Sequence, residues 1–157
     1  MDMNKINKNK LKALEMEQLK AKYPSMRPEL IPLTEWKDTS ANNLTKCIIF
    51  YIKAMGGQAE RISNQGQYRV GKKIEIASGF KQLPGKWTPG TGTKGTADIS
   101  ATIRGRSVKI EVKYGKDRQS DAQKAYQQDV ERAGGTYIIA RDFDSFVLWY
   151  EKYSLNL

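Results

Sequence analysis

Residues 95–113 read GTADISATIRGRSVKIEVK, and the alternation within them predicts two strands around a tight turn. Ala97, Ile99, Ala101 and Ile103 fall on one side, and Asp98, Ser100 and Thr102 on the other. From Ser107 to Lys113, Val108, Ile110 and Val112 alternate with Lys109, Glu111 and Lys113. Period-two patterning marks strands with one buried face. Apolar residues must meet across the pair, because a slip of one residue puts an apolar set in water. A two-residue turn at Arg104-Gly105, with Gly105 supplying positive φ, satisfies this. It sets Ile103 against Arg106, Ile99 against Ile110, and Asp98 against Glu111.

Opposed residues have Cβ atoms about 4.5–5.5 Å apart, so Asp98 and Glu111 repel unless a cation lies between them. Lys113 shares their face. Two carboxylates and a lysine are the parts of a divalent-metal site, and such oxygen donors suit Mg²⁺ or Mn²⁺. The plainer reading is a solvated sheet face with an ordinary Glu-Lys pair; Asp98 opposite Glu111 argues against it.

Asp98 followed by Glu111-Val112-Lys113 resembles the core motif of the PD-(D/E)XK nuclease superfamily. The approach Gly95-Thr96-Ala97-Asp98 stands where that family often has Pro-Asp. Downstream, QSDAQKAYQQDVERAGGTYIIA resembles the helix and strand of small VRR-type and Holliday-junction-resolvase-like members, many of them phage proteins. The resemblance spans roughly Leu44 to Phe146. It implies a restriction-endonuclease-like α/β fold, a mixed sheet of four to five strands flanked by helices, with an extra N-terminal helix. It implies a metal held by Asp98, Glu111 and the Val112 carbonyl, Lys113 positioning the attacking water, and Gln123 supporting the site. The expected partner is DNA, by analogy branched, cut by a homodimer to leave 5′-phosphates. The family's helix acid is replaced here by Ser40-Ala41-Asn42-Asn43, which leaves Asn43, or less favourably Glu60, as a substitute.

Charge placement points the same way. The chain of 157 residues carries 27 Lys and Arg against 17 Asp and Glu, and residues 61–118 hold a net +9 of the total +10. A basic surface around an acidic pocket suits a phosphodiester substrate. Candidate nucleic-acid contacts are Arg61, Arg69, Lys72, Lys73, Lys81, Lys86, Trp87, Lys94, Lys116 and Arg118. For Arg61 and Arg69 solvent is the even alternative, and Trp87 either stacks on a base or packs its own loop down. With no histidine, serine–histidine triads and Cys–His zinc sites are excluded.

The rest of the chain frames this centre. Residues 1–38 are expected to be a helix over 4–22, solvated and partly frayed by default, with docking on the body, contact with a second subunit or a basic arm as its alternatives, and a proline-rich connector whose Leu30, Ile31, Leu33 and Trp36 pack on the body. Residues 39–157 are expected, from the resemblance, to form the nuclease-like domain. A helix capped by Thr39 or Ser40 carries Leu44, Cys47, Ile48, Tyr51, Ile52 and Met55 at helical spacing. Strands are expected at 58–62, 67–70 and 74–76, with a turn at Asn64-Gln65-Gly66. Residues 77–95 read as a glycine-rich irregular loop. Ser120 and Gln123 make a capping box for a helix with Ala122, Tyr126, Val130 and Ala133 inside, and residues 136–140 return as a strand parallel to the one bearing Glu111. An aromatic helix begins at Asp142 or Asp144. No apolar run spans a membrane and no secretory signal opens the chain. The lone Cys47 fits a reducing, cytoplasmic setting, a host cytoplasm if the chain is phage-encoded. A non-cleaving nucleic-acid-binding protein and an assembly subunit stay open as alternatives.

Overall fold

The computed structural model describes residues 3–63, 66–76, 78–88, 90 and 92–155. In chain order the elements are α1 (Lys5–Lys22), a 3-10 turn (Pro28–Leu30), α2 (Ala41–Ala54), β1 (Gln58–Arg61), β2 (Gln67–Arg69), β3 (Lys73–Ile76), β4 (Gly79–Gln82), β5 (Lys86–Thr88), β6 (Ile99–Ile103), β7 (Arg106–Val112), α3 (Asp121–Arg132), β8 (Thr136–Ala140) and α4 (Phe143–Leu155). The chain is therefore mixed α/β, with four α-helices among the described residues.

The central hairpin has the expected register, pairing Ile103 with Arg106 and Ile99 with Ile110. Arg104 and Gly105 both have positive φ, 48° and 79°. That is the turn geometry whose twist matches the flanking strands. The sheet order is β1-β6-β7-β8. β1, β6 and β7 are antiparallel neighbours, and β8 runs parallel to β7 after the α3 crossover. Four strands therefore make a mixed sheet.

One face of this sheet is the core. Ile99, Ile103, Val108 and Ile110 are fully buried against Leu44, Ile48, Tyr51 and Ile52 of α2 and Phe143 and Phe146 of α4. Ser40 caps α2, accepting from the Asn43 N–H at 3.2 Å. Met55 does not join the apolar stripe: it sits at the C-cap, exposed, where the chain turns at Gly56. Asp142 opens α4 by accepting from the Ser145 N–H at 2.7 Å.

The expectation that α1 is solvated and frayed is corrected. Leu11 is fully buried and Met3 lies in the same core cluster. Polar ties compensate for the thin apolar stripe. Asn7 donates to Asp144 at 2.7 Å, and the Trp36 indole donates to Glu15 at 2.8 Å. The buried Asp38 accepts from the Met3 N–H at 2.9 Å and the Phe143 N–H at 3.0 Å, joining both ends of the chain. In the connector, Ile31 and Trp36 are buried but Leu30 is exposed.

Among the described residues α3 alone packs on the opposite face, and none of its residues is buried. The expected inner stripe is shallow: Tyr126 and Val130 are half-buried, while Ala122 and Ala133 are exposed. The helix packs chiefly on β8, where the Tyr126 ring meets the Tyr137 ring edge-on.

Residues 79–82 and 86–88 are strands, which corrects the reading of 77–95 as an irregular loop; Ala77, Pro89 and Thr91 of that loop lie outside the described residues. β2 pairs with β5 and β3 with β4, both antiparallel and separate from the four-stranded sheet. Asn64 and Gln65 of the expected turn lie outside the described residues. Among the described residues no helix is long and apolar enough to cross a membrane.

Candidate functional site

The site forms where the β6–β7 ladder ends. The last ladder pair is Ile99 with Ile110. One step beyond, the Asp98 side chain takes over the pairing, accepting from the Val112 N–H at 2.9 Å. On the other side of β7, the Lys113 N–H donates to the Ala140 carbonyl at 2.9 Å. These bonds fix the Glu111–Lys113 segment between its two neighbours.

Alternation makes Glu111 and Lys113 face away from the apolar core, yet both are buried, at 1% and 5% exposure. The Lys113 Nζ lies 3.0 Å from Glu111 Oε1 and 3.4 Å from Asp117 Oδ2. Gln123 donates its side-chain amide to the same Oε1, while its own Oε1 accepts from the Ser120 N–H at 2.9 Å. Gln123 thus caps α3 and donates to the Glu111 carboxylate at the same time. Tyr137 donates to Glu111 Oε2 at 3.5 Å. Gln119 supports Tyr137 from 3.5 Å.

The approach to Asp98 is tight. Gly95 has φ 79°, and a Cβ there would lie 2.2 Å from the Ala122 carbonyl oxygen. Only glycine lets this segment pass against the first turn of α3. Gly95 thus sets the path by which the chain enters the site, three residues ahead of Asp98.

Burial chiefly pushes the Glu111 carboxyl above its usual range; the Lys113 hydrogen bond opposes this and the Asp98 charge adds to it. Burial also works against the Lys113 ammonium, but the hydrogen bonds and charges of Glu111 and Asp117 leave its pKa above the ordinary lysine value. Lys113 therefore stays charged at neutral pH. Burial pushes the Tyr137 hydroxyl up to about 12, so it remains a donor. Cys47 is a buried free thiol pushed up to about 12 by burial, with Asp38 adding to it, and is inert packing rather than a nucleophile.

Among the described residues no three or more His, Cys, Asp or Glu side chains come together. Two carboxylates do, and the second oxygen of Asp98 has no hydrogen-bond partner among the described residues. Mg²⁺ keeps several waters and needs only one or two carboxylates, so this oxygen donor set fits it.

The other expected residues scatter. Asn43 lines a cleft with Thr34, Trp36 and Lys46. Glu60 is exposed opposite Ser100, two residues along the chain from Asp98. Arg61 pairs with the inward-facing Ile99, and its guanidinium donates to Asn42 of α2 at 2.6 Å. It therefore lies on the α2 side, not the carboxylate side. Lys94, Lys116 and Arg118 are exposed near the site, on the segments entering β6 and leaving β7. Arg69, Lys72, Lys73, Lys81, Lys86 and Trp87 all belong to the separate ribbon, and all are exposed. Sequence reasoning missed Tyr137 and Asp117. Tyr137 pairs with Lys109 across the parallel ladder, so its position on the carboxylate face follows only once β8 is registered. Comparison with protein-family models and with curated proteins gave no match to this chain.

Proposed function

We propose that this protein is a metal-dependent DNA endonuclease with a restriction-endonuclease-like core. The observation that carries the reading is the buried Glu111–Lys113 pair, braced by Gln123 and Tyr137, with Asp98 at the same sheet end. A buried ion pair is costly to assemble. Placing it beside a second carboxylate on the thinly covered face is a poor way to stabilise a fold and a good way to build an active site.

Asp98 and Glu111, with the Val112 carbonyl, would hold Mg²⁺ or Mn²⁺, which supplies Lewis-acid polarisation of a phosphate and an acidified water. Lys113, kept as an ammonium, orients the attacking water or stabilises charge on the phosphate oxygens. Gln123 and Tyr137 donate to Glu111 and hold it in place. Lys116, Arg118 and Lys94 offer cations to the flanking backbone. Branched DNA, cut by a homodimer, is the substrate favoured by the resemblance to junction resolvases.

The test is cleavage of labelled duplex, single strand, flap and four-way junction in Mg²⁺ or Mn²⁺, beside Lys113→Ala. The wild type is expected to cut and the variant to bind without cutting. Binding by both without cutting would sink the endonuclease reading. It would favour a second reading, a DNA-binding protein on the same fold, which the lack of a third acid supports.

A further inference from the structure

Residues 67–69 pair with 86–88 and residues 73–76 with 79–82, two short antiparallel ladders that share one register and read together as a ribbon. Arg69 faces Lys86 in the first ladder and Lys73 faces Gln82 in the second, with the same offset. Between them the Leu83 N–H donates to the Lys72 carbonyl at 3.0 Å, in step with both. Every described position of β3, β4 and β5 is exposed, so the ribbon is not packed into the core. It is inserted between β1 and β6, which are direct neighbours, and it leaves the sheet at the end that carries Asp98.

Paired residues share a face of a ribbon, and here the two faces differ. Arg69, Lys73, Glu75, Gln82, Lys86 and Thr88 lie on one. Tyr68, Val70, Ile74, Ile76, Leu83 and Trp87 lie on the other, interrupted by Lys72 and Lys81. The apolar side is stiffened by its own aromatics. A Cβ at Gly85 would lie 2.1 Å from the Tyr68 hydroxyl, and one at Gly66 2.5 Å from the Trp87 ring; each ring lies across a glycine. On the polar side the Lys73 ammonium sits 5.0 Å from the Phe80 ring centre.

The ribbon holds five cations against one acid, Glu75. Its two ladders together span residues 67–76, roughly 30 Å at about 3.3 Å per residue, close to one turn of duplex at about 34 Å. The major groove of B-DNA, about 12 Å wide, admits a two-stranded ribbon. Arg, Lys, Gln and Thr are the side chains that bond to base edges and flanking phosphates there.

We propose that the ribbon is an arm that lays its Arg69–Lys73–Lys86 face in the major groove of a DNA duplex flanking the phosphate at Asp98 and Glu111. The position of the cut rests on the endonuclease reading; the duplex binding does not. The arm makes a double-stranded flank part of what the protein recognises, whatever the shape of the DNA at the site itself.

The experiment measures binding of a labelled 30-base-pair duplex and the matching single strand in EDTA, across about 50–200 mM salt. Proteins are the wild type, R69A/K73A/K86A, and Y68A/W87A. The polar-face variant is expected to lose at least tenfold in duplex affinity, to show a shallower salt dependence, and to keep its affinity for single strand. The apolar-face variant is expected to stay within about twofold. Thermal unfolding of all three confirms that the sheet is intact. Unchanged duplex affinity in R69A/K73A/K86A overturns the proposal. So does loss confined to Y68A/W87A, whether it falls on single strand by stacking or goes with a change in sedimentation that marks a subunit contact. Wild-type binding without cleavage in Mg²⁺ defeats the endonuclease reading and leaves the arm standing. Cleavage of duplex unaffected by R69A/K73A/K86A does the reverse.

Discussion

The two faces of the four-stranded sheet are closed in opposite ways. Against one, α1, α2 and α4 bury a continuous apolar cluster that includes Tyr51, Phe143 and Phe146 in edge-to-face contact. Against the other, α3 buries none of its own residues, and the deepest groups are Glu111 and Lys113. The same strands supply both faces, since Ile110 and Val112 alternate with Glu111 and Lys113. Strand parity thereby keeps the residues that stabilise the fold apart from the buried ion pair. The apolar face supplies the surplus that lets the other face hold a desolvated ion pair, which by itself adds little or nothing to stability.

The largest test of this contrast removes a ring from each face. Phe143→Ala is expected to cost about 3–5 kcal/mol in urea unfolding. Tyr126→Ala on α3, only half-buried, is expected to cost well under half of that. Equal losses would mean that both faces carry the fold alike.

A smaller effect concerns pH. The folded Glu111 pKa lies above its ordinary 4.5, so the folded protein holds that proton more tightly than the unfolded chain. Stability contributed by protonated Glu111 is therefore lost as pH rises from about 4.5 through the folded value. Glu111→Gln should flatten the stability profile in that window, read as the denaturant midpoint against pH in EDTA. Lys113 works at the other end: its raised pKa gives stability that is complete below 10.5 and fades as pH climbs past the folded value. A profile unchanged by Glu111→Gln between about pH 4.5 and neutrality would show that the carboxylate is not desolvated in solution.

The smallest test separates the two duties of Gln123. Ser120→Ala removes the cap acceptor alone and should cost about 1 kcal/mol with cleavage retained. Gln123→Ala should cost a similar amount and also slow cleavage, because it releases Glu111. If both variants slow cleavage equally, Gln123 acts only through the helix end.

The hairpin and its register were legible because alternation, a two-residue turn and the cost of a slip all select one pairing. The capping box was legible because Ser120 and Gln123 signal locally. α1 was not: one buried leucine is a faint stripe, and its docking depends on Asn7 and Glu15 meeting Asp144 and Trp36 far along the chain. The ribbon was hidden by Gly71, Pro84 and Gly85, which fall in the gap between its two short ladders and break the alternation there. Tyr137 was visible as a buried strand residue, but its bond to Glu111 depends on the parallel register, which no local signal carries.

The single register of the ribbon also bears on the order in which the sheet can assemble. Pairing Arg61 with Ile99 from an open chain means closing residues 62–98 at once. With the ribbon already zipped, only 62–66 and 89–98 remain to be closed. That shortening, a little over one halving, lowers the entropic cost of closure by about 0.8 kcal/mol. A segment that adds nothing to the core thereby acts as an internal clasp, drawing together the two strands whose ends present Asp98.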